Sequence, residues 1–183
     1  MKCSLLWVDL EMTGLVPGKD KIVEVAAIGT GWDLEPKCEY TAVVKVDEEL
    51  MKERMQGEFW EKNRESRDAL MEQNKDGKDA LEVEKELIDF VKKNFERGKI
   101  ILAGNSIHQD RKFIDKEMKN LSKKLHYRML DVSAWKVYFE NALQVKFEKK
   151  EAHRALDDII GSIEELKFYR GMISKNSLKE END

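Results

Sequence analysis

Residues 4–8 read SLLWV, a continuous apolar run, and Asp9, Leu10 and Glu11 follow it directly. A short apolar run without polar alternation suits a strand buried on both faces of a sheet. Working outward, Met12-Thr13-Gly14-Leu15-Val16-Pro17-Gly18 is turn chemistry. Ile22 to Trp32 is rich in Val, Ile and Ala, Glu35-Pro36 marks a turn, and Glu39 to Val46 (EYTAVVKV) reads as a third strand. Three strands joined by short loops predict an antiparallel meander.

The character changes after Val46. Asp47 to Arg97 is charged and helix-forming, with punctuation at Gly57 and Asn74–Gly77. Leu81, Leu87, Ile88, Val91 and Phe95 follow helical spacing and predict one buried face. Lys99 to Ala103 (KIILA) reads as a fourth strand, ended by Gly104-Asn105-Ser106. Phe113, Met118, Leu121 and Leu125 predict another helix, Tyr127 to Val132 a fifth strand, and a helix starts near Ser133. The last long helix is expected over Ala155 to Met172, with Leu156, Ile159, Ile160, Ile163 and Leu166 as its buried stripe. The tail, 174–183, is polar and is expected to fray. A meander followed by alternating helix and strand predicts one α/β domain over 1–173, built on a mixed five-stranded sheet flanked by helices.

The 183 residues suit a single domain that needs no disulfide or metal staple to fold. Charged residues make up 38% of the chain, so the surface must be densely charged, yet 33 Lys+Arg against 37 Asp+Glu leave a net charge of −4. Proteins that grip long nucleic acid non-specifically normally carry a basic excess, which is missing here. Cys3 and Cys38 imply a reducing compartment. With the first three strands side by side, these two lie two strands apart, about 9–10 Å, which is too far for a disulfide. No apolar run approaches the ~18 residues of a membrane span. The strand-like run begins within three residues, so no signal or transit peptide is expected. A soluble cytoplasmic protein is expected.

Chemistry is carried by three groups of residues. Asp9 and Glu11 are two apart on a strand, so they point the same way. Paired carboxylates repel, which raises a pKa or demands a cation. They sit at the rim of a buried strand, where α/β sheets place ligands. Asp110, in GNSIHQD (104–110), stands where a strand hands over to a helix, a place where an acid also serves as a cap or first-turn charge. His153-Arg154-Ala155-Leu156-Asp157-Asp158 opens the last helix; both aspartates lie off the apolar stripe, so periodicity does not choose between them. Together these groups offer hard oxygen ligands of the kind that suit Mg²⁺ or Mn²⁺. Two such ions ~3.5–4 Å apart stabilise the attacking and leaving oxygens of a phosphoryl displacement. A His with an ordinary pKa near ~6.5 can take the proton of the attacking water. His108 and His126 compete with His153 for that task, and Asp131 is either a further ligand or the cap of the helix near Ser133. Trp7, Trp32 and Trp135 are read as core, whereas Trp60, in a charged stretch, is read as an exposed aromatic.

The segments WVDLEMTGL (7–15), AGNSIHQDRKF (103–113), HYRMLDVS (126–133) and HRALDDI (153–159) resemble the oligoribonuclease family. These are 3′→5′ exoribonucleases of small oligonucleotides, of the DEDD superfamily and His subtype, with an RNase H-like fold. The likeness spans residues 4–172. It implies that Asp9, Glu11, Asp110 and Asp158 hold two divalent cations, Mg²⁺ or Mn²⁺. The family's H-x4-D spacing selects Asp158 over Asp157 and makes His153 the general base. Leu15 matches a leucine that wedges between the two bases of a dinucleotide, and Trp60 an aromatic residue near the substrate. Ser106, Arg128 and Ser133 match a cap over the 5′ phosphate, and Tyr127 matches a tyrosine donated across a homodimer interface. Implied, therefore, is a homodimer that degrades very short RNAs, dinucleotides above all, to nucleoside 5′-monophosphates. Glu65 departs from the pattern, since a His is usual five residues after the Trp. His108 stands where Gly is common, and the segment between Arg128 and His153 is a few residues shorter than usual.

Overall fold

The computed structural model describes residues 2–148 and 154–180, the stretch 174–180 by its backbone alone. Strands β1 (Leu5–Met12), β2 (Ile22–Thr30) and β3 (Pro36–Val43) form the expected meander, with β1–β2 and β2–β3 both antiparallel. Strands β4 (Ile100–Gly104) and β5 (Leu125–Asp131) add in parallel on the other side of β1, giving the order β3-β2-β1-β4-β5. The central position of β1 and β2 explains their composition, because every residue of β2 is buried. Pro36 is tolerated because β3 is an edge strand.

Side-chain alternation sorts the strands into two cores. Leu6, Val8 and Leu10 of β1 face one layer with Leu87 and Val91 of α4 (Ala80–Asn94) and Phe113 of α5 (His108–Glu117). Leu5 and Trp7 face the other, with Phe139 of α7 (Val132–Ala142) and Ile159 and Ile163 of α8 (Ala155–Glu180). Asp9 and Glu11 share the parity of Leu5 and Trp7, so they emerge on the α8 side. A third, smaller core joins Val23 and Val46 to Met51, Met55, Trp60 and Leu70. It lies under α1 (Glu48–Arg54), α2 (Glu58–Lys62) and α3 (Arg64–Gln73). A short α6 (Lys119–Ser122) leads into β5.

Local chemistry sets the helix starts. The Asp47 carboxylate accepts from the amides of Glu49 and Leu50 at 3.1 and 2.9 Å, and that of Asp79 from Leu81 at 2.8 Å. Asp131 does the same for α7, accepting from Ser133 at 2.9 Å.

Several expectations need correction. Leu81, at the start of α4, is 71% exposed; Val83 and Glu84 share the buried face with Leu87 and Val91. The helix expected over Phe113 to Leu125 is two helices, and Leu125 already belongs to β5. Helix α8 does not end at Met172 but keeps helical backbone through Glu180, a stretch without Gly or Pro. In its stripe Ile159, Ile163 and Leu166 are buried, whereas Ile160 is 44% exposed. Trp32 is 61% exposed rather than core. Cys3 and Cys38 remain free thiols, but their sulfurs lie 3.7 Å apart. They meet over Gly29 of β2, where any Cβ would lie 2.6–2.8 Å from both sulfurs. Absence of a side chain on the intervening strand lets the two thiols reach across it.

Candidate active site

The sheet rim at the end of β1 gathers the acids. Oxygens of Asp9, Glu11 and Asp158 all lie within 4.8 Å of one another, and all three residues are half-buried. Asp9 and Glu11 come from alternate positions of one strand. Asp158 comes from the first turn of α8, whose buried face packs on the Leu5–Trp7 side of β1. Asp157, its neighbour, is exposed. Asp110, in the first turn of α5, reaches the backbone of the same strand: its Oδ1 accepts from the Leu10 amide at 3.0 Å, between the two β1 acids. Asp110 is only 6% exposed.

The electrostatics follow from crowding. Glu11 is pushed up to about 7 by burial first, then by the charges of Glu24, Asp158 and Asp110. Asp110 is also pushed up to about 7, by burial above all and against the hydrogen bond from Leu10. Two carboxyls near neutrality, beside further carboxylates, are what a hard divalent cation would ionise and neutralise. The donor set is all oxygen, so it fits Mg²⁺ or Mn²⁺ rather than a thiophilic ion.

Glu24 escaped notice in the sequence. It stands directly across from Glu11 in the β1–β2 register and is 7% exposed. Gln73 Nε2 donates to its Oε2 at 2.6 Å, and Arg154 lies 4.0 Å from the same oxygen. The available signal was a lone carboxylate inside the apolar run IVEVAAIGT (22–30).

The residues matched to substrate contacts are spread over several elements. Ser106 and Ser133 come together, Oγ to Oγ 3.1 Å apart. The Ser106 amide donates to Ser133 Oγ at 2.8 Å and to Asp131 Oδ1 at 3.0 Å. These bonds hold Ser106 at φ 46°, a left-handed conformation that a non-glycine residue adopts only when its surroundings enforce it. Arg128 and Tyr127 are exposed on the edge strand β5, with the Arg128 guanidinium 5.3 Å from the Tyr127 ring centre. Leu15 is 65% exposed on the loop after β1. Trp60 departs from expectation: it is 6% exposed in the third core, and its Nε1 donates to the Thr13 carbonyl at 3.3 Å. The exposed aromatic beside it is Phe59, packed edge-on with ring centres 5.0 Å apart. Glu65 is exposed on α3.

Of the three histidines, His153 lies outside the described residues. His126 Nδ1 accepts from the Arg128 amide at 2.9 Å, and its ring stacks on Tyr127, so it serves β5. His108 Nδ1 lies 3.6 Å from Asp131 Oδ2, the carboxylate that also caps α7 and holds Ser106.

Comparison with known proteins shows the family and the fold. The exonuclease family RNase_T matches residues 6–166. The chain is 39% identical to the human mitochondrial oligoribonuclease over 186 aligned residues, covering 98% of this chain and 77% of that one. It is 42% identical to the oligoribonuclease of Francisella tularensis subsp. tularensis, covering 91% of this chain and 94% of the relative. Among solved structures, the exonuclease I of Methylocaldum szegediense superposes with a TM-score of 0.62 at 18% identity, over 88% of this chain and 39% of that one. The zinc-bound E. coli ExoI–ssDNA complex gives 0.57 at 13% identity, over 91% of this chain and 40% of that one. The chain thus spans about two fifths of those structures, and they share its fold, an RNase H-like mixed sheet flanked by helices. From the match over nearly its whole length, the chain belongs to the oligoribonuclease family of exonucleases.

Proposed function

We propose that residues 1–173 act as one exonuclease domain that shortens very small RNAs from the 3′ end and carries dinucleotides to nucleoside 5′-monophosphates. The observation behind this is the convergence of Asp158 from α8 with Asp9 and Glu11 from β1, oxygens within 4.8 Å, with buried Asp110 on the adjoining amide. Asp9, Glu11, Asp110 and Asp158 would hold two divalent cations, Mg²⁺ or Mn²⁺. Such a pair, when bound, supplies charge neutralisation at the phosphodiester.

The chain's own residues do the rest. His153, five residues before Asp158, takes a proton from the attacking water as general base. Ser106 and Ser133, with Arg128 from β5, receive the 5′ phosphate through two hydroxyls and a guanidinium. Leu15 presents an apolar side chain to the bases. Trp60 acts from beneath, through the Thr13 carbonyl, rather than by stacking on a base. Short substrates also suit the net charge of −4, because a dinucleotide offers few phosphates to neutralise. Tyr127, 74% exposed on an edge strand, is proposed to reach the site of a second copy, making the active species a homodimer. No described helix is long and apolar enough to cross a membrane. A cytoplasmic location is part of the same proposal, although three mammalian relatives are named mitochondrial.

The test is a rate-against-length series of 5′-phosphorylated RNAs, from two to about twenty nucleotides, with Mg²⁺ and Mn²⁺. A steep preference for the shortest members is expected. A flat profile would overturn the dinucleotide assignment in favour of an exonuclease of longer strands.

A further inference from the structure

We infer that Asp20 and Arg54 form a positioning pair that holds the loop carrying Leu15 in one shape, so that Leu15 meets a substrate base without first being ordered. The inference rests on the proposed role of Leu15. The loop leaves β1 at Met12 and returns at Ile22, and its apex displays two apolar side chains, Leu15 at 65% and Val16 at 49% exposure. An exposed surface loop with apolar tips would ordinarily be mobile. This one is fastened from below.

The fastening is a single carboxylate. Asp20 is fully buried, at 0% exposure. It accepts from Arg54 Nε at 2.7 Å and Nη2 at 3.2 Å, from the Val16 amide at 2.8 Å and from Thr13 Oγ1 at 3.3 Å. Gly14 packs directly on it: a Cβ there would lie 2.6–2.7 Å from the carboxylate. The bonds to residues 13 and 16, with the close approach of Gly14, flank Leu15 on both sides. Burial alone would raise the Asp20 carboxyl, but the Arg54, Val16 and Thr13 hydrogen bonds hold it below its ordinary value. A bidentate guanidinium keeps this buried charge compensated, and its removal would leave the carboxylate unpaired and free the loop. Arg54 belongs to α1, so the clamp ties the loop to the third core.

Preorganisation of a contact acts on binding before it acts on chemistry. Arg54→Met should therefore raise the KM for a dinucleotide about tenfold with kcat within about twofold. On the p-nitrophenyl ester of a nucleoside 5′-monophosphate, which has one base and nothing for Leu15 to part, the same variant should match wild type. The double variant Leu15→Ala/Arg54→Met should be no worse than Leu15→Ala alone, because the pair acts through Leu15. Arg54→Lys keeps the charge but loses the fork, so it should restore only part of the KM and supplies the same readout if the Met variant does not fold. Equal losses on both substrates, additive losses in the double variant, or a wild-type KM in Arg54→Lys would overturn the inference, the pair then being merely structural. If Leu15→Ala itself leaves the dinucleotide KM unchanged, the role of Leu15 fails and the inference falls with it. If Leu15→Ala raises KM and Arg54→Met does not, the pair alone is refuted.

Discussion

Glu11 and Glu24 face each other across the β1–β2 register, two carboxylates on adjacent central strands with Glu24 almost fully buried. After burial, the charge of Glu24 is the largest cause of the raised Glu11 pKa. Glu24→Gln keeps the shape and removes that charge, so the Glu11 carboxyl should titrate measurably below about 7. Carboxyl-carbon NMR against pH checks this in the metal-free protein; an unmoved Glu11 would mean that the Glu24 charge does not contribute to its value.

The metal-free protein should become less stable as pH rises. Glu11 and Asp110 bind a proton more tightly when folded, at about 7, than their ordinary 4.5 and 3.8. The folded state therefore holds more protons between those limits, and stability falls with rising pH across that window. A divalent cation takes over the proton's neutralising role, so added Mg²⁺ should raise Tm more at pH 8 than at pH 5.5. Thermal melts with and without chelator measure it, and equal Mg²⁺ effects at both pH values would count against the acidic cluster as the cation site.

Glu11→Gln should abolish turnover, by more than ~10³-fold, while the fold survives, since a ligand charge is lost but little volume. Circular dichroism shows whether the fold is kept. Near-normal rates in a folded variant would contradict the proposed ligand set.

His153→Ala should lower kcat by roughly 10²–10⁴-fold, the usual worth of a general base. His108→Ala should leave kcat within a few-fold, because His108 faces Asp131 and the Ser106 turn. The reverse ranking would transfer the base to His108.

Tyr127→Ala should slow dinucleotide hydrolysis, and mixing it with a Glu11→Gln chain should restore activity if the tyrosine is supplied in trans. Each mixed dimer then contains one site with intact acids and a partner tyrosine. No recovery on mixing would remove Tyr127 from the neighbouring site.

Much of this was legible in the linear chain. The apolar run before Asp9 announced a central strand, and its period of two put Asp9 and Glu11 on one side. The motifs located Asp110, Ser106 and Ser133 at the handovers between strand and helix. What failed shares one cause. Trp60 looked exposed because its neighbours are charged, but helices α1–α3 build a private core around it and leave Phe59 outside. Leu81 kept helical spacing yet faces solvent, since it lies off the face that Val83, Leu87 and Val91 bury. Cys3 and Cys38 meet because the strand between them carries a glycine.

By itself the sequence determined the periodicities: which residues share a strand face, where helices begin, and which carboxylates stand at element ends. These are properties of short segments, set by backbone geometry and hydrogen-bonding chemistry a few residues in range. Only the tertiary structure decided which neighbour each face meets. It sets Glu24 across from Glu11 and buries Asp20 under the Leu15 loop on Arg54. Burial and charge pairing depend on surfaces contributed by residues far away in sequence, and no local pattern carries that information.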